Sequence, residues 1–124
     1  MTTSEIATVL AWHDALNEGD LETLGALSSD DIDIGDEHGA RQGHRALRGW
    51  AESVGYTAEP GRMYVRDGVV VVEQRVSSPS DGERTIASAF RVVHDKVTAV
   101  FGHEDLESAL DATEMTEDDL AVDA

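Results

Sequence analysis

Trp12-His13-Asp14-Ala15-Leu16-Asn17-Glu18-Gly19-Asp20 is a helix stop followed at once by a helix start. Glycine at 19 supplies the left-handed residue on which helices commonly end, and aspartate at 20 offers a side-chain oxygen to the first free N–H groups of the next helix. Upstream, Ile6, Val9, Leu10, His13 and Leu16 fall at helical spacing, and Thr2 with Glu5 reads as a capping box, so a first amphipathic helix runs into this stop. Downstream, Leu21, Leu24 and Leu27 make a short second helix.

Asp31-Ile32-Asp33-Ile34 alternates with period two and predicts a short strand, after which Gly35 to Gly43 reads as a turn-rich loop. Leu47, Trp50, Ala51 and Val54 predict a third helix ending at Gly55. Four β-branched-rich segments come next: Arg62 to Val65, Val69 to Val76, Arg84 to Val93, and Lys96 to Phe101. Their separators, Arg66-Asp67-Gly68, the 77–83 loop and His94-Asp95, are hairpin chemistry and predict an antiparallel meander. Leu106 and Leu110 predict a short closing helix. The stretch from about 111 to 124 holds six acids and no base and predicts a solvated, flexible tail, with Thr116-Glu117-Asp118-Asp119 able to cap one extra helical turn. The sum is one α+β domain over residues 1–124, in the order α-α-β-α-β-β-β-β with a short C-terminal helix.

Of the 124 residues 40% are apolar, enough for one core. The absence of cysteine excludes disulfides, thiolate metal sites and a cysteine nucleophile. Against 26 acids stand nine basic residues, with Lys96 the sole lysine, and the net charge of -17 repels phosphate backbones and anionic lipid. Nucleic acid and membrane are therefore not expected partners. The acidic bias also suits a salty cytoplasm, where carboxylates keep a surface hydrated. No basic segment followed by a long apolar core opens the chain, so a cytoplasmic location is the default expectation. No phosphate loop, nucleophile elbow or dinucleotide fingerprint is present, and no cofactor is implied. The histidines at 13, 38, 44, 94 and 103 lack metal-ligand spacing; Asp36, His38 and His44 merely share a loop, and His13 reads as a helix-face residue.

The order of elements and the 12–20 segment together resemble the SnoaL-like proteins, the superfamily that includes nuclear transport factor 2 and ketosteroid isomerase. The segment is similar to that family's aromatic-x-x-Ala-Leu-Asn-x-Gly-Asp signature, and Leu24, Leu27, Asp30-Asp31 and the Gly39 to Gly43 loop follow at the family's distance. The resemblance implies a cone-shaped fold in which a curved antiparallel sheet wraps around the N-terminal helices. It also implies a pocket lined by the first helix, first strand, third helix and concave sheet face. Such proteins include isomerases, epoxide hydrolases, polyketide cyclases, dehydratases and members with no known reaction, so the fold alone assigns no activity.

Carried over residue by residue from ketosteroid isomerase, the resemblance puts Trp12 at the position of an oxyanion tyrosine, Asp36 at the general base and Ser88 at a protonated oxyanion aspartate. Trp12 and Ser88 would then donate hydrogen bonds, and Asp36 would be a base if tryptophan walls desolvate it. The plainer reading of Asp36 is an exposed turn. On the Val69 to Val76 strand, Val70, Val72, Gln74 and Val76 share one face, with Val71, Glu73 and Arg75 on the other. The isomerase alignment implies that Glu73 and Arg75 face the pocket, where with Asp36 they are a distant likeness of the Asp-Arg-Asp set of limonene epoxide hydrolase. A structural ion pair is the alternative. Alternation from Val100 sends Glu104 inward and His103 outward, and a register slip of one residue reverses the two.

Trp50, Tyr56 and Phe90 complete the expected ligand-binding set with Trp12 and Glu104. Val70, Val72, Val76, Ala87, Ala89 and Val93 make an apolar sheet face expected to form a homodimer, as the resemblance also implies. The expected function is binding of a lipophilic small molecule, with isomerase, cyclase or hydrolase chemistry needing no cofactor. The alternatives are a non-catalytic ligand-binding protein and a dimeric interaction module.

Overall fold

Ala15 and Leu16 are buried near the end of helix α1 (Thr2–Glu18), which stops at Gly19 with a φ of 70°. Asp20 then caps α2 (Leu21–Ala26), its Oδ1 accepting the Thr23 N–H at 3.1 Å. The structure, a computed structural model, describes residues 2–36, 38–80 and 82–123, with side chains from residue 5 onward. The expected Thr2 cap lies outside the described side chains.

Strand β1 (Ser28–Asp36) and β2 (Gly39–Gln42) form a hairpin, α3 (His44–Ser53) follows, and β3 (Thr57–Arg66), β4 (Val69–Ser78), β5 (Gly82–Val93) and β6 (Lys96–His103) make the meander. After α4 (Leu106–Thr113) and a single 3-10 turn at Glu117–Asp119, β7 (Leu120–Val122) ends the described fold. The described strands form one curved, open sheet in the order β2-β1-β6-β5-β4-β3-β7. Every pairing is antiparallel except β1 with β6, which is parallel because the chain reaches β6 only after crossing the sheet. Asp67 and Gly68, and His94 and Asp95, all have positive φ at the hairpin tips, the turn form whose twist matches the flanking strands. Register shifts between Pro60 and Met63, between Arg91 and Val92, and between Ser28 and Asp33 bend the sheet around α1.

The concave side holds the larger core: Val9, Trp12 and Leu16 of α1 pack on Met63, Val65, Val70, Val72, Phe90 and Val100. The convex side holds a second cluster, Tyr64, Val71 and Ala87 beneath Ala109 and Met115. Helix α4 thus covers the back of the sheet, and Val71 is as completely buried as Val70 and Val72.

Three expectations are corrected. Glu73 and Arg75 lie on the convex face, since Val72 and Gln74 point to the helices; Glu73 forms a two-pronged pair with Arg62 at 3.0 and 3.1 Å, and Arg75 reaches Glu83 at 3.8 Å. The supposed dimer face is split: Val70 and Val72 belong to the concave core, with Val76 buried on the same side of the strand, while Ala87 and Ala89 belong to the convex cluster that the chain's own α4 covers. The acidic segment after residue 111 is docked: Thr116 closes a capping box, Met115 is buried, the Tyr64 hydroxyl donates to Glu117 at 3.3 Å, and β7 pairs with β3. Its charge count concealed the apolar anchors Met115, Leu120 and Val122. The 35–43 loop likewise contains β2, and β1 and β3 begin earlier than their apolar alternation suggests.

Ala109 is fully buried between α4 and the sheet. Ala109→Asp should cost about 3 kcal/mol or more in urea unfolding, the penalty for an unpaired charge in a dry contact. A loss within about 0.5 kcal/mol would mean that α4 does not dock.

Candidate functional site: a cavity in the concave face

A cavity of about 440 Å³ opens between β1, α3 and the ends of β5 and β6. Strand alternation decides its lining. Arg84, Ile86 and Ser88 share the concave side of β5, and Ser88 pairs with Gly102 across β6. Ile34, Trp50, Val54, Ile86 and Val100 give apolar walls, while Asp36, His38, Tyr56, Arg84, His103 and Glu104 bring polar groups to the lining.

Asp36, Gly102 and Ser88 make a row across three strands. A Cβ at Gly102 would stand 3.9 Å from the Asp36 Cβ, an ordinary contact, so the missing side chain leaves open space between the two polar residues. Gly35, next to Asp36, is needed for a different reason. A Cβ there would lie 2.7 Å from the Gly39 carbonyl oxygen and 2.9 Å from the Phe101 ring, so only glycine lets the β1–β2 hairpin close beside the cavity.

Beneath the walls lies an aromatic layer. Trp12 packs against Trp50 and Phe90 with ring centroids 5.7 and 5.2 Å apart. Trp12 is 1% exposed, and its indole N–H donates to Ser28 Oγ at 3.1 Å, whose hydroxyl donates in turn to the Leu24 carbonyl at 2.8 Å.

A buried polar chain runs from α1 to the cavity. His13 Nδ1 lies 2.8 Å from the Val9 carbonyl oxygen, its Nε2 lies 2.8 Å from Gln74 Nε2, and the Ser88 hydroxyl donates to Gln74 Oε1 at 2.8 Å. His13 is wholly buried, and Gln74 and Ser88 nearly so. Burial holds the His13 pKa below its ordinary 6.5, against the opposing influence of the Val9 carbonyl and Asp14.

The structure therefore gathers Asp36, Ser88, Trp50, Tyr56 and Glu104 around the cavity, and it places Trp12 and Phe90 in the core below. Glu73 and Arg75 stand on the opposite face of the sheet. His103 borders the cavity together with Glu104. Asp36 is exposed, and its Oδ1 accepts the His38 N–H at 2.8 Å, so the tryptophans do not enclose it. Burial raises the Tyr56 pKa, with Arg84 acting in the opposite direction. Neither expected oxyanion donor has a free proton: the Trp12 N–H goes to Ser28 and the Ser88 O–H to Gln74. Sequence reasoning missed His13 and Gln74 as partners of Ser88. The available signal was a histidine and a glutamine each standing on an otherwise apolar face. Among the described residues no group of three or more His, Asp or Glu is gathered to hold a metal ion, and no helix is long and apolar enough to cross a membrane.

Residues 9–100 match the SnoaL-like domain family, and the chain belongs to it. No curated protein matches the chain in sequence. Among solved structures, a proposed polyketide cyclase from Sinorhizobium meliloti is 22% identical with a TM-score of 0.73, covering 78% of this chain and 94% of its own. An NTF2-like protein of unknown function from Cytophaga hutchinsonii is 12% identical with a TM-score of 0.73, over 86% and 94% of the two chains. An LEH-like epoxide hydrolase from Mycobacterium tuberculosis is 19% identical with a TM-score of 0.71, over 83% and 84%. At these identities the likeness establishes the fold.

Because burial lowers the His13 pKa in the folded chain, the unfolded chain takes up that proton more readily as pH falls through 6.5. Stability should thus rise with pH and be lost as pH falls through 6.5, with a slope of at most about 1.4 kcal/mol per pH unit from this group. Urea unfolding from about pH 7 to 5.5 should show this component in the wild type and not in His13→Gln. Identical slopes in the two proteins would contradict the buried neutral imidazole.

Proposed function

We propose that the cavity binds a small, partly apolar organic molecule and that the chain acts on it without a cofactor, with Asp36 accepting a proton from the ligand or from water. The observation that carries this reading is the cavity, where apolar walls share the lining with polar and charged groups at a size suited to a small molecule.

Asp36 stands at the end of β1 with one oxygen held by the His38 N–H, which leaves Oδ2 to act as the base. Trp50 and Val54 would cover the apolar part of a ligand, and Arg84 would meet a negative group at the mouth. Steroid-type enolisation fits poorly, because the donors it would need at Trp12 and Ser88 are already engaged. Proton transfer in an isomerisation, cyclisation or hydrolysis that develops less charge on oxygen fits better. One observation favours a second reading, binding without turnover: Asp36 is exposed to water.

Thermal stabilisation against steroids, terpenoid epoxides and polyketide-like aromatics tests the cavity by mass action. A hit should vanish in Gly102→Leu, which projects side chain into the space beside Asp36 while meeting only an ordinary contact at its Cβ. In Asp36→Asn, binding should persist while turnover falls about 100-fold or more. Binding with no turnover in the wild type would select the second reading, and a Gly102→Leu variant that binds as well as the wild type would remove the cavity from consideration.

A further inference from the structure

We infer that the floor of the cavity accepts a hydrogen-bond donor from the ligand, a hydroxyl, phenol or N–H, because His13 and Gln74 commit the Ser88 proton inward and leave its oxygen lone pairs facing the ligand. The inference rests on the cavity being the binding site and adds the chemical class of group that it selects.

Each link fixes the next. A backbone carbonyl only accepts, so the 2.8 Å contact between Val9 O and His13 Nδ1 requires the proton on Nδ1. A neutral imidazole then has a bare Nε2, which must face a donor. The Gln74 amide nitrogen, 2.8 Å away, is that donor, so the orientation of the amide follows from chemistry. Its Oε1 is thereby turned to Ser88, and an amide oxygen only accepts, so the hydroxyl proton must point to it across 2.8 Å. Reversing the chain would require a second proton on His13, putting a full charge among the rings of Trp12 and Phe90, whose centroids lie 6.1 and 5.2 Å from the imidazole.

Ser88 lines the cavity and pairs with Gly102, which places no side chain beside its hydroxyl. A carbonyl or ether oxygen placed there would meet lone pairs with no proton between, whereas a hydroxyl or N–H would complete the chain. A buried site built around a fixed acceptor discriminates against an analogue lacking the donor, since desolvation is then uncompensated. His13 and Gln74 act through Ser88 and are positioning residues.

The test uses the full chain and two matched probe pairs, phenol against anisole and indole against benzofuran, titrated by the amide chemical shifts of Ser88 and Gly102. In the wild type the donor member of each pair should bind about tenfold more tightly. Gln74→Met frees the Ser88 hydroxyl to rotate and should bring each pair within about twofold, and Ser88→Ala, which keeps the strand intact if Gln74→Met does not fold, should do the same. Long-range proton–nitrogen correlation of the imidazole should show His13 neutral with its proton on Nδ1, a readout independent of any ligand. Binding at Ser88 and Gly102 without preference, or a proton on Nε2, overturns this inference alone. No shift at either residue with any probe overturns it together with the cavity reading.

Discussion

Helix α1 enters the bowl of the sheet with Val9, Trp12, His13 and Leu16 buried in its contact, and the curvature of the rest follows from closing around it. Its C-terminal end is clipped to β3 by Asn17, whose side-chain amide donates to the Ala58 carbonyl at 2.8 Å and accepts the Ala58 N–H at 2.9 Å. One side chain thus mimics a strand partner at the edge of β3, which gives the asparagine of the 12–20 segment a physical role beyond the helix stop. Gly19 then releases the chain and Asp20 starts α2, so helix end, sheet attachment and helix restart occupy four consecutive residues.

Burying His13 in that contact imposes a cost which the fold meets with polar partners of defined polarity. A lone imidazole among Trp12, Phe90 and valines would be an unsatisfied group worth roughly 1–3 kcal/mol of destabilisation. Val9, Gln74 and Ser88 satisfy it in sequence, and the last member sits on the cavity. The requirement to stabilise a core residue therefore reaches the floor of the site. The Trp12 indole is handled in the same way by Ser28, so the aromatic layer beneath the cavity is held by hydrogen bonds as well as by packing. Gly102 contributes to the open floor, because it places no side chain between Asp36 and Ser88.

Strand β4 is dry on both faces over Val70, Val71 and Val72 because α1 covers one side of the sheet and α4 the other. A strand of this kind carries no solvent-facing polar row to mark its orientation, and its charged residues at 73 and 75 emerge only where the convex cover ends. With a net charge of -17, most of the surface repels anions, and Arg84 is the arginine that the fold brings to the cavity mouth.

The helix stop at Gly19, the restart at Asp20, the amphipathic third helix and the hairpin chemistry of the meander are local signals, and the sequence by itself determined that these elements exist, their order and the family to which they belong. Asp36 and Ser88 were also legible as cavity residues through the family resemblance, Glu104 through strand alternation, and Trp50 and Tyr56 as expected lining. Which face of β4 points inward was not, because alternation defines two residue sets and both were rich in valine; tertiary cover alone separated Gln74 from Glu73 and Arg75. The docking of the C-terminal segment escaped notice because charge dominates its composition while three spaced apolar residues hold it. Only the tertiary structure joined His13, Gln74 and Ser88, residues 61 and 14 positions apart along the chain, since a hydrogen-bond chain between distant elements leaves no periodicity in sequence.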